Sequence, residues 1–100
     1  MSQEEQQQKF SEDRDMQFFG PVILVKYMSD NKQGHLFWVN DSSKLPENAA
    51  GVRIPADSPL HTLLAYAFDK RKPIKVAPIH RWWGPEGKLF WTIRAATCEG

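Results

Sequence analysis

Basic and aromatic side chains are interleaved through the last third of the chain: Lys70-Arg71-Lys72-Pro73-Ile74-Lys75, then His80-Arg81-Trp82-Trp83, then Lys88, Phe90 and Arg94. Flat rings that accept stacked bases, beside cations that track phosphates, are what a surface for single-stranded nucleic acid requires, at about 1–3 kcal/mol per stacked base. Adjacent residues of a strand face opposite sides, so one of Trp82 and Trp83 should enter a core and the other point outward. The same alternation turns Leu89, Trp91 and Ile93 inward and Phe90, Thr92 and Arg94 outward. The candidate ligand-binding residues are therefore Lys75, Arg81, Trp83, Lys88, Phe90 and Arg94, the aromatics as stacking platforms and the bases as phosphate contacts. Lys70 to Lys72 have a simpler role, complementing the negative end of a helix dipole. The exposed aromatics would equally serve a subunit interface, with Phe37 and Trp38 on strand edges beside Trp83.

Other chemistries find little footing. His35, His61 and His80 fall on three different elements and the single Cys98 lies elsewhere, so no ligand set with metal-binding spacing is expected. No Gly-x-Ser-x-Gly elbow holds a nucleophile. His80 beside Arg81 could be drawn as a base with an anion clamp, but an edge-strand His next to two Trp residues is more often a packing residue. Gly34, Gly84 and Gly87 sit in turns between strands, not between a strand and a helix, so they build no phosphate-cradling loop. The expectation is a non-enzymatic protein with no catalytic residues, no metal and no cofactor.

Length and charge agree with a binding role. The 100 residues suit one domain, and 41% hydrophobic against 25% charged residues places the chain among folded proteins and away from disordered ones. Residues 1–15 carry five acids and two bases, a local −3, so the other 85 residues carry +4 of the overall +1. That segment is Gln-rich and aperiodic and is expected to be a mobile tail ahead of one domain over 16–100. The split suits an anionic partner without the strongly basic footprint of a duplex binder, and the tail is placed to compete with such a partner. The longest apolar run, Val22 to Val25, is far short of the roughly 20 residues of a membrane span. With no secretory leader and one cysteine, a cytoplasmic setting is expected.

These residues depend on the elements that carry them. Val22 to Met28 reads as a strand, Ser29 to Gly34 as a polar turn and His35 to Asn40 as the returning strand. Asp41 to Ala50 is a connection, and Gly51 to Ile54 a short strand closed by Pro55. Leu60, Leu63, Leu64, Ala67 and Phe68 recur at helical spacing behind Asp57, Ser58 and Pro59, giving one amphipathic helix over about 57–72 that Pro73 stops. Ile74 to Trp83 and Lys88 to Thr97 form a second hairpin about Gly84-Pro85-Glu86-Gly87, with Pro78 marking an edge or bulge.

The order is strand, strand, short strand, helix, strand, strand, an α+β protein that is mostly β. Over residues 18–97 this order resembles the OB-fold, a five-stranded barrel with a helix between its third and fourth strands. The stretch Ser58 to Ile93 is also similar to the helix, strand and hairpin half of the OB-type B subunits of bacterial AB toxins, but lacks a cysteine pair. The resemblance implies a small OB-like barrel or strongly curved antiparallel sheet; an open antiparallel sheet with one packed helix is the rival. The leading expectation is a module for single-stranded nucleic acid, and the alternative an oligomer, dimer or ring, that binds a protein or glycan.

Overall fold

The computed structural model describes residues 17–30 and 32–98, so the expected tail over 1–15 lies outside the described residues. Six strands and one helix follow in chain order: β1 (Phe19–Val22), β2 (Leu24–Asp30), β3 (Gly34–Val39), β4 (Gly51–Ile54), α1 (Leu60–Lys70), β5 (Ile74–Trp83) and β6 (Leu89–Cys98).

Local chemistry sets each turn. Between β2 and β3 the Asp30 carboxylate accepts from the backbone N–H of Lys32 at 2.7 Å and of Gln33 at 3.2 Å, a side-chain mimic of a turn. Gly34 follows at φ +97°, where a Cβ would lie 2.1 Å from the Ile54 carbonyl oxygen, so no other residue fits. Ser58 Oγ accepts from the Leu60 N–H at 3.1 Å to open α1. The helix runs shorter than 57–72 because Arg71 turns left-handed at φ 56° and the Lys72 N–H closes back on the Ala67 carbonyl at 2.9 Å.

The strands form one six-stranded mixed sheet in the order β1-β5-β6-β4-β3-β2. Every neighbouring pair is antiparallel except β4 and β6, which run parallel as Gly51, Val52 and Arg53 align with Phe90, Trp91 and Thr92. The five strands expected from sequence are all present, and Phe19–Val22 adds a sixth. The sheet is not closed: β1 pairs with β5 and β2 with β3, and the two edge strands are joined along the chain only through Ile23. Asn40 pins that corner, its side-chain oxygen accepting from the Ile23 N–H and its own N–H donating to the Ile23 carbonyl, both at 2.9 Å.

One face of the sheet carries the main core. Val22, Leu24, Phe37, Val52, Ile54, Ile74, Val76 and Ile93 pack there against Leu64 and Ala67 of α1, with Leu60, Phe68 and Trp91 sealing the margin. Of the residues anticipated to recur on one face of α1, Leu60, Leu64, Ala67 and Phe68 belong to this core and Leu63 does not; of those anticipated inward on the last strand, Trp91 and Ile93 do and Leu89 does not. Among the described residues no helix is long and apolar enough to cross a membrane.

Candidate functional site

Among the described residues no helix lies over the opposite face, and cross-strand register lays its side chains in two rows. The first runs Lys26, Trp38, Gly51, Phe90, Trp82; the second runs Met28, Leu36, Arg53, Thr92, His80. Gly51 leaves a gap in the first row. Trp38 and Phe90 meet edge-on across it, with ring centroids 5.1 Å apart, and Trp82 closes on Phe90 from the other side at 5.9 Å.

Phe90 is thereby fully buried, at 0% exposure. The alternation of β6 does turn it away from the main core, but on that face it lies beneath two Trp rings and offers no platform for a base. The half-buried Trp82 and Trp38 are the aromatics this face presents, and each is paired with a cation. Arg53 Cζ lies 4.7 Å from the Trp82 ring centroid and Lys26 Nζ 4.4 Å from that of Trp38.

Arg53 is held in position. One terminal nitrogen donates to the Gln33 carbonyl at 2.8 Å and the other to Thr92 Oγ1 at 3.1 Å, while among the described residues its buried Nε finds no acceptor. Burial lowers the guanidinium pKa, but an arginine remains charged at any pH the protein meets. Met28, Ser29, Asp30, Gln33, Gly34, Leu36, Arg53, Trp82 and Pro85 line a pocket of about 90 Å³ between the β2–β3 loop and the β5–β6 turn. Sites that enclose a small molecule run to about 300–1,000 Å³. A space of this volume admits no more than a single small chemical group.

The six sequence-derived candidates do not share a surface. Lys75 alternates with the core residues Ile74 and Val76 and so lies on the outer face, with Phe90. Arg81 is opposite Trp91, on the core side of the sheet, and its guanidinium pairs with the Glu47 carboxylate at 3.3 Å. Trp83, two residues along β5, is on that same side, beyond the core's edge, and 69% exposed. The expectation that one of the two tryptophans enters the core is corrected: Trp82 packs into the outer cluster instead, and neither belongs to the main core. Lys88 is exposed in the turn, and Arg94 is half-buried where the β5–β6 register shifts.

A second constellation brings together residues that are distant in sequence. His35 and His61 stack face to face, with centroids 3.8 Å apart and planes 8° from parallel. The Tyr27 hydroxyl lies 2.8 Å from His35 Nδ1 and 3.4 Å from His61 Nε2. Desolvation first, and then the neighbouring His35, lower the pKa of His61. Parallel rings direct their nitrogen lone pairs along separate planes, so the pair does not converge on a metal ion. Among the described residues no three His, Cys, Asp or Glu side chains gather to hold one. Only strand register and the docking of α1 reveal this cluster; the spacing 27, 35, 61 carries no signal of it.

No protein-family model matches the chain, and no curated protein matches its sequence.

Proposed function

We propose that this protein is a non-enzymatic, OB-like binding module that holds single-stranded nucleic acid on the outer face of its sheet. The observation that carries this reading is the pair of cation-backed Trp rings, Arg53 with Trp82 and Lys26 with Trp38, exposed in part between two loops. If β1 and β2 are taken as two halves of one strand bent at Ile23, the strands number five and α1 falls between the third and fourth. OB-folds bind oligonucleotides on the face of their second and third strands, between the loop after strand one and the loop before strand five. On that count those features are β3, β4, the Asp30–Gly34 loop and the Gly84–Lys88 turn, which between them supply most of the pocket lining. The contact residues of this reading are Lys26, Trp38, Arg53 and Trp82, with Lys75, Lys88 and Arg94 as further phosphate contacts.

The test is a titration of a labelled, mixed-sequence single-stranded oligonucleotide followed by anisotropy at several salt concentrations. Saturable binding that weakens as salt rises is expected. Trp82→Ala should raise Kd by about 5- to 150-fold, the equivalent of losing one stacked base. Lys26→Gln should reduce the slope of log affinity against log salt by roughly 0.7, the single-strand value for one phosphate contact. Absence of binding at the lowest salt would defeat the proposal. The alternative, an oligomer that takes a protein or glycan, draws on the 69% exposure of Trp83; a defined dimer or ring in light scattering that is lost with Trp83→Ser would favour it.

A further inference from the structure

β5 is an interior strand for only part of its length. β1 pairs with it at Ile74 and Val76, and from Pro78 to Trp83 its one strand neighbour among the described residues is β6. The distal half therefore has a free edge, and it leads into the Gly84–Lys88 turn that borders the outer-face pocket.

The groups along that edge follow from alternation. The Gly84 N–H donates to the Lys88 carbonyl at 2.9 Å, so the N–H and C=O of Trp82 and His80 face β6 as well. Those of Arg81 and Trp83 face the other way, into the open edge. Side chains alternate too. Trp82 belongs to the outer cluster with Arg53 and Phe90, whereas Trp83 projects from the core side of the sheet, 69% exposed, with Arg81 two residues before it on that side. Two indole rings thus stand on opposite sides of one backbone whose consecutive Cα atoms are about 3.8 Å apart. Lys88 is exposed in the turn beside them.

A further β-strand finds little purchase here. Pro78 has no N–H, and Ile79 is bulged out of register between the Pro78–Ile93 and His80–Thr92 pairs. Arg81 and Trp83 are left as the ladder positions, against the roughly 5–6 residues of an ordinary strand, and a charged side chain on an edge discourages strand addition. What the edge offers instead is two backbone donors beside cations, with an aromatic ring on either side. Backbone N–H groups, Arg and Lys contact phosphates, and aromatic rings stack bases. Glu47 holds Arg81 at 3.3 Å, but both side chains are exposed, and such a pair is worth little against a competing phosphate. Glu86, two residues before Lys88, is open to solvent, where its charge is screened.

We propose that a single-stranded nucleic acid bound on the outer face crosses the free edge of β5 and continues onto the core side, where Trp83 stacks a further base. Arg81, Lys88 and the edge N–H groups take the phosphates at the crossing. This rests on the reading of the outer face as a nucleic-acid site and extends it: the ligand bends over β5 instead of ending at Trp82.

The experiment measures the anisotropy of labelled, mixed-sequence single strands from about 4 to about 16 nucleotides, the range of site sizes known for OB-folds. Affinity should rise with length and level off once the strand reaches Trp83. Trp83→Ala should leave the shortest strands unaffected and weaken the longest by about 5- to 150-fold, the loss of one stacked base, whereas Trp82→Ala should weaken every length. Because the Trp83 ring is exposed, that variant should keep the wild-type unfolding midpoint. Arg81→Gln should reduce the slope of log affinity against log salt by roughly 0.7 for the longest strands alone. Equal effects of Trp83→Ala on short and long strands, or none on either, would overturn the crossing while the outer-face site stands. A dimer in light scattering that Trp83→Ala dissolves would assign the ring to a second copy and overturn it as well. No binding at any length at the lowest salt would defeat the outer-face reading itself, and the crossing with it.

Discussion

The two faces of this sheet are buried by different means. On the core side Phe37, Val52, Ile54, Ile74 and Val76 are all fully buried in one cluster with Leu64 and Ala67 of α1. On the outer side no described element covers the strands, yet Phe90 at 0% and Leu36 at 5% exposure are shielded nearly as well, on a face where Trp rings and the stems of Lys26 and Arg53 also meet solvent. A helix-covered face is committed to stability. A face covered by amphipathic side chains remains able to exchange its cover for a ligand.

Truncations should separate the two faces most clearly. Phe37→Ala removes a ring enclosed by the core and by Tyr27, and should cost about 4–5 kcal/mol in denaturant unfolding. Phe90→Ala should cost less, about 3 kcal/mol, because the half-exposed Trp38 and Trp82 can collapse into the space. Equal costs would mean that the outer cluster is as rigid as the core and ill-suited to rearrangement. Arg53→Met keeps the apolar stem and deletes the bonds to Gln33 and Thr92; about 1 kcal/mol of stability should be lost, with a larger proportional loss of oligonucleotide affinity.

Acidity should act chiefly through the helix side. The folded pKa of His61 is below its unfolded value, so the unfolded chain binds the proton more readily. Stability is then full above about pH 7 and declines as the pH falls through the unfolded value near 6.5, levelling off below the folded one. A pH series of unfolding midpoints should show this decline, and His61→Gln should flatten it. The smallest effect belongs to the exposed Arg81–Glu47 pair: Glu47→Gln should shift stability by under about 0.5 kcal/mol, an effect that vanishes in high salt.

Much of this architecture can be read from sequence, because local signals control it. Apolar alternation sets β2, β3, β5 and β6, and the spacing of Leu60, Leu64, Ala67 and Phe68 sets α1. β1 eludes such a reading because Phe19-Gly20-Pro21-Val22 looks like a turn, and only its pairing with β5 makes it a strand. The candidate site is harder still. That Phe90 faces away from the core follows from alternation, but what covers it depends on Trp38 and Gly51 arriving beside β6 through a parallel pairing that no local pattern announces. Arg53 reads as one basic residue in a four-residue strand until register sets it between Leu36 and Thr92. The histidine stack is invisible for the same reason.

The parallel contact between β4 and β6 also has a consequence in time. Adjacent hairpins such as β2–β3 close within roughly 1–10 μs, whereas sheets joined by distant segments take milliseconds to seconds to assemble. During synthesis β6 leaves the ribosome after β4 and β5, and it is the neighbour that both require. Until it emerges, Val52, Ile54, Ile74 and Val76 have no completed sheet to enter. The nascent chain therefore presents these apolar side chains unprotected until the ten-residue strand Leu89–Cys98 is free to dock.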